Sequence, residues 1–139
     1  MTDLARIYNS KGNIYHAIKK SSIGYNGFGE AYFSEINPGV VKGWKRHSSA
    51  TMNFIVPVGK IKFVIYDNRL KSFENNIFDE IILGGSNNYR RLTIPPNLWV
   101  AFVSISQTTS LLLNVSNEEH DPHEAENIDL KQINYNWDL

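Results

Sequence analysis

The sequence predicts an all-β protein, a sandwich or barrel of about eight or nine short strands. Three observations carry that prediction. Short runs rich in Val, Ile, Phe and Tyr recur along most of the chain, the residue types that suit a pleated, half-buried surface. Turns bearing Gly, Pro or Asn separate these runs, and hardly any stretch shows the helical period.

Taken in order, Asn9-Ser10-Lys11-Gly12 is a turn signature, and residues 14–18 follow as a short strand. Residues 21–29 carry Gly24, Gly27 and Gly29 with Tyr25 and Phe28 between them. They read as a loop pinned by two aromatics. A phosphate cradle is the sharper alternative, but the spacing fits no P-loop or dinucleotide fingerprint and no helix follows. Residues 30–36 form a strand with Glu30, Tyr32 and Ser34 on one face and Ala31, Phe33 and Glu35 on the other. Asn37-Pro38-Gly39 then turns the chain into a central block, residues 38–69. Its apolar runs are Val40-Val41, 54–58 and 61–66, and a knot of Lys42, Trp44, Lys45, Arg46 and His47 lies between the first two. Val58-Gly59-Lys60 is the sharpest turn.

Residues 68–76 are polar and turn-like; 78–83 is a strand ended by the Gly- and Asn-rich 84–88. Residues 90–94 form a further strand, halted by Pro95-Pro96-Asn97 because proline cannot donate to the ladder. Residues 98–106 and 110–116 make a last hairpin around Gln107-Thr108-Thr109. The acidic tail from Asn117 offers a helical turn from Glu124 onward and closes with Tyr135 and Trp137, expected to pack onto the body or a partner.

The 139 residues suit a single domain spanning 1–139. Lys+Arg 14 balances Asp+Glu 14, so broad nucleic-acid or anionic-membrane binding is not expected and any basic feature is local. Without cysteine there is no disulfide framework, thiolate nucleophile or Cys-based zinc site. No apolar run approaches the ~20 residues of a spanning helix or makes a signal peptide, so a cytoplasmic protein is the expectation.

The histidines are His16, His47, His120 and His123. A metal site of the usual kind in a histidine-bearing β-barrel needs two histidines one residue apart, and Lys45 occupies the first of those places. An ammonium ligates nothing until it is deprotonated, so no metal and no cofactor are expected. The cluster Lys42, Lys45, Arg46 and His47 reads either as a solvated charged face or as a pocket wall. Trp44 in its midst is costly to expose, and strand alternation cannot send all four bases the same way. Lys45 and His47 share one face; Lys42, Trp44 and Arg46 share the other unless a bulge near Gly43 brings Lys42 round. Bases held inside need anionic partners, which a phosphate- or carboxylate-bearing ligand supplies.

These stretches resemble the nucleotide-sugar 3,5-epimerase family, which acts on thymidine-diphosphate 4-keto-6-deoxyhexoses. Asn9-Ser10-Lys11-Gly12 stands where that family has D-x-R-G, and Lys42-Gly43-Trp44-Lys45 where it has R-G-L-H. Residues 59–69 (GKIKFVIYDNR), 92–102 (LTIPPNLWVAF) and 121–126 (DPHEAE) are similar to three further family segments, the last to N-P-x-x-E. The resemblance implies a cupin-like double-stranded β-helix or jelly-roll barrel, a homodimer, and an epimerase or isomerase drawing a proton from beside a ketone. The departures fall at the chemistry. The family's histidine falls on Lys45, its tyrosine acid around Glu118 to His120, the histidine of its A-H-G-F on Val100, and its phosphate-binding arginine on Lys42. The candidate catalytic residues are therefore Lys45, His47 and His120. The candidate substrate-binding residues are Lys42, Arg46, Glu30, Tyr32, Tyr66, Trp99 and Glu118. A non-catalytic nucleotide-sugar-binding barrel and a sugar ketoisomerase remain the alternative readings.

Overall fold

Alternating apolar side chains give each strand one face that must leave water, and two such sheets satisfy one another by packing face to face. A computed structural model, which describes residues 1–69, 78–85 and 88–138, shows this arrangement. One five-stranded sheet runs in the order β1 (Thr2–Asp3), β9 (Arg90–Ile94), β6 (Met52–Val58), β11 (Ser110–Ser116), β4 (Glu30–Ile36). The second runs β12 (Ala125–Asn127), β5 (Val41–His47), β10 (Trp99–Ser104), β7 (Lys60–Tyr66), β8 (Phe78–Gly84). β2 (Arg6–Ile7) and β3 (Ile14–Tyr15) form a small two-stranded ribbon of their own. All the paired strands are antiparallel.

The core between the sheets is built on Phe54, Phe63, Ile61, Leu83, Leu112 and Ile36. Full burial of each such side chain contributes about 1.5–3 kcal/mol. Phe54 and Phe63 stack with ring centroids 5.5 Å apart. A second apolar cluster lies on the outer face of the second sheet. Trp44, Val64, Trp99 and Ala101 are covered there by Ile133, Tyr135 and Trp137. The C-terminal aromatics thus pack on the body as expected, and Tyr135 Oη donates to Glu80 Oε1 at 2.6 Å.

The strands of the central block form where the residues call for them, with ends adjusted by a residue or two. Two expectations change. The strand at 14–18 stops at Tyr15 because its next carbonyls are taken by side chains, His16 O by Tyr89 Oη and Ala17 O by Arg91 Nη1. Glu124 does not open a helical turn; the chain extends into β12 beside β5, and the only helical element among the described residues is a 3-10 turn at Leu130–Gln132, capped by Asp129. The polar stretch 68–76 lies mostly outside the described residues.

β5 carries the irregularity that shapes the site. Opposite β10, Val100 pairs with Lys45 and Phe102 with Lys42, so Gly43 and Trp44 together face Ala101. Gly43 has φ 129, and a Cβ there would sit 2.7 Å from Ala101 Cα. Only glycine fits that bulge. The Gly43–Trp44 peptide is cis.

Candidate active site

Lys45 and His47 project inward from β5, as alternation predicts, into a cavity between the sheets. Its empty space, open solvent at the entrance included, is about 570 Å3. Met52, Phe54, Ile94, Leu98, Val100 and Phe102 form its apolar wall, while Tyr32, Ser34 and Asn114 face it from the other sheet. A smaller recess shares Tyr32, Lys45, His47, Ala50 and Met52 with the cavity and adds Glu30, Glu118, Glu119, His120 and Glu124. The recess is the mouth of the cavity.

His47 is gripped by a residue that sequence reasoning did not select. Its Nδ1 lies 2.6 Å from Glu124 Oε2, while Glu124 Oε1 accepts the backbone N–H of Ala50 at 2.9 Å and of Ser49 at 3.0 Å. Burial pushes the Glu124 carboxyl up; the N–H groups of Ala50 and Ser49 and the His47 ring outweigh it and hold the group at about 2. Near neutral pH Glu124 is therefore an anion that only accepts hydrogen bonds. His47 Nδ1 must carry the proton, and in the neutral ring Nε2 holds the lone pair. Nε2 has no hydrogen-bond partner among the described residues. This is the arrangement of a general base whose tautomer is set by a carboxylate.

Tyr32 comes from β4, in the opposite sheet. Burial, and then the Glu30 carboxylate, raise its phenol above the ordinary value, so it stays protonated and able to donate. Glu118 is tied at the mouth, its Oε2 accepting Ser49 Oγ at 2.7 Å. Gly29 allows the approach that places it, since a Cβ there would lie 2.1 Å from the Glu118 carbonyl carbon. His120 is exposed on the rim.

Of the residues singled out from sequence, Lys45, His47 and Tyr32 line the cavity, and Glu30, Glu118 and His120 line its mouth. Lys42, opposite the cavity-lining Phe102, lies on the same face of β5. It is exposed, and its Nζ donates to Glu35 O at 2.9 Å, across the gap between the edge strand β4 of one sheet and β5 of the other. Arg46, Trp99 and Tyr66 are not in the cavity. Trp99 pairs with both Arg46 and Tyr66 across adjoining strands, which puts all three on the outer face. There Trp99 is buried at 4% exposure, and Tyr66 stacks on Phe78. As contacts for a ligand in the cavity these three are corrected. Glu124 was hidden in an acidic tail that composition assigns to the surface; its segment was matched to N-P-x-x-E, but the glutamate of that pattern falls on Ala125 and did not single it out. No group of three or more His, Asp or Glu among the described residues is arranged to hold a metal, and none of the described helices is long and apolar enough to cross a membrane.

The chain matches no protein-family model. It is 34% identical over 92 residues to a probable low-salt glycan biosynthesis epimerase of Haloferax volcanii; the match covers 66% of this chain and 58% of that protein's length. The crystal structure of a dTDP sugar isomerase from Desulfovibrio desulfuricans superposes with TM-score 0.90 at 38% identity, covering 98% of this chain and 88% of that one. A dTDP-6-deoxy-D-glucose-3,5-epimerase of Legionella pneumophila shares the fold at 21% identity, with TM-score 0.79 over 98% of this chain and 76% of its own. A variant of a sugar 3,4-ketoisomerase from Thermoanaerobacterium thermosaccharolyticum does so at 16% identity, with TM-score 0.72 over 90% and 83%. The identity and coverage of the Desulfovibrio isomerase carry the assignment that the sequence motifs suggested: the chain belongs to the cupin-like family of dTDP-sugar isomerases and 3,5-epimerases.

Proposed function

We propose that the protein epimerises or isomerises a nucleotide-linked 4-keto-deoxysugar, without a metal, in the cytoplasm, on the way to a surface or secreted glycan. The observation that carries this reading is the His47–Glu124 pair, whose imidazole lines a largely apolar cavity between the sheets. A ketone acidifies the hydrogens on its neighbouring carbons. His47 Nε2 takes one of them, the C–H electron pair moves into the C–C bond, and the carbonyl oxygen becomes an enolate. The Lys45 ammonium, on the same cavity face, stabilises that oxyanion. Tyr32, reaching in from the opposite sheet, returns a proton on the other face of the sugar, which inverts the carbon. His120 and Glu118, at the mouth, meet the part of the substrate that projects outward.

The rim carries Glu30, Glu118, Glu119, Asp121 and Glu124, a poor setting for a pyrophosphate. The phosphates are better served by Lys42, at the gap between β4 and β5, which exchanges a backbone carbonyl for a charged oxygen. We further propose that the protein is a homodimer.

The test is incubation with thymidine-diphosphate 4-keto-6-deoxyglucose in deuterium oxide. Deuterium at C3, C5 or both with the ketone still at C4 identifies an epimerase. Deuterium at C4 with the ketone at C3 identifies a ketoisomerase. His47→Ala should lower either rate by roughly 10²–10⁴ while leaving the melting temperature close to that of the parent. Tight binding without any exchange sinks the catalytic reading and leaves a binding module.

A further inference from the structure

The Ser49 and Ala50 N–H groups hold one oxygen of the Glu124 carboxylate, while the strand that follows Glu124 and lays its backbone beside β5 is slight. β12 is three residues long and lies at the edge of its sheet, paired on one side only. A strand so short frays unless side chains hold it. Its register sets Ala125 against His47, Glu126 against Arg46 and Asn127 against Lys45. A slip of one residue would turn every side chain of β12 to the opposite face.

On the outer face, directly behind the site, three groups form a stack. Arg46 Nη2 lies 2.5 Å from Glu126 Oε2, and the Arg46 guanidinium sits 4.7 Å from the centroid of the Trp99 ring. Trp99 itself is fixed in the outer apolar cluster. Arg46 adjoins His47 in β5, and Glu126 is two residues beyond Glu124. Glu124 stands in the turn that leads into β12, so the pair joins β5 to the start of that strand on the cavity side, and the stack joins β5 to the strand itself on the outer face. Further contacts flank them, Ser48 N–H to Glu124 O at 3.0 Å and Ile128 N–H to Trp44 O at 3.1 Å, but both are backbone bonds that any sequence makes in this register.

We infer that Arg46 is a positioning residue for the reaction: through Glu126 and Trp99 it holds β12 in the register that presents the Glu124 carboxylate to His47 Nδ1. It touches no substrate, because it lies on the far face of the sheet. The inference rests on reading His47 as the catalytic base, yet its structural half can be measured without substrate.

A proton held in the Nδ1–Oε2 hydrogen bond is shielded from water and gives a low-field imidazole resonance in the nitrogen-15-edited NMR spectrum of the full chain. His47→Gln, which removes it, assigns it. Arg46→Met, which keeps the length of the stem and loses the charge, should broaden or abolish that resonance. It should lower kcat about tenfold with KM little changed, the signature of a misplaced base rather than a lost contact. Arg46→Lys, which restores a cation to Glu126 and Trp99, should recover most of both. Glu126→Gln should act in the same direction as Arg46→Met, and decides the matter if the methionine variant does not fold. A sharp, unmoved resonance in Arg46→Met, with kcat unchanged or with only the melting temperature lowered, overturns the assignment. If the parent protein exchanges no proton with any nucleotide sugar, the proposed activity fails, while the resonance still decides whether Arg46 positions the pair.

Discussion

At the scale of single residues, the charge state of Glu124 governs what His47 can do. The carboxylate is poorly hydrated, yet two backbone N–H groups and the imidazole keep it ionised down to about 2. Its folded-state value lies below the ordinary 4.5. The stability it contributes is therefore fully present above about 4.5 and is lost as pH falls from there toward 2. Urea unfolding across that interval should show the parent protein losing stability more steeply than Glu124→Gln, which has no proton to take up at this place. Equal slopes would mean that the carboxylate is not held as described. Lys45, His47 and Tyr32 were legible in the sequence because period-two alternation assigns a strand's faces without knowledge of its neighbours. Glu124 was not legible as a partner, since it stands 77 positions from His47 and its other donors are backbone groups that no residue pattern reveals.

At the scale of elements, β5 decides which bases enter the cavity, and Gly43 decides β5. The bulge at Gly43 lets Lys42 and Lys45 lie on one face although alternation alone separates them. Gly43→Ala combines a φ of 129 with a contact of 2.7 Å against the Ala101 backbone. It should destabilise the protein by about 2–4 kcal/mol, measured by urea unfolding, and should weaken catalysis in whatever fraction remains folded. An alanine variant as stable as the parent would show that the bulge is not sterically fixed. The sequence marked this bulge because glycine is where a strand bulges most easily. It did not mark Trp99 and Tyr66 as outward-facing. Which face a residue of β10 or β7 shares with β5 depends on the register between strands, and register is set by turns and bulges rather than by composition. Arg46 was misplaced with them: its charge suggested a ligand, but a buried indole ring beside it and Glu126 opposite it already satisfy that charge.

At the scale of the whole molecule, the two-sheet architecture followed from the number and spacing of the strands, whereas the strand order did not, because β4, β6, β9 and β11 come from distant parts of the chain. That order leaves β4 as an outer edge, seven residues long and free of proline. Such an edge pairs with another chain unless something blunts it. Its outward face shows Phe33 at 63% exposure, and Phe28 at 65% lies just before it. The N-terminal ribbon adds Tyr8 at 72%, with Ile7, Ile14 and Tyr15 also exposed. Large apolar side chains gathered along one edge and one ribbon are costly to leave in water, and a second copy of the chain presents a like surface to cover them. Light scattering at micromolar concentration should therefore give twice the 15.9 kDa mass of the chain. Phe33→Glu should return the protein to a single chain with its far-ultraviolet circular dichroism intact, since Phe33 points away from the cavity and the core. A parent protein that is monomeric at that concentration removes the homodimer, and a Phe33→Glu protein that still dimerises moves the interface away from β4.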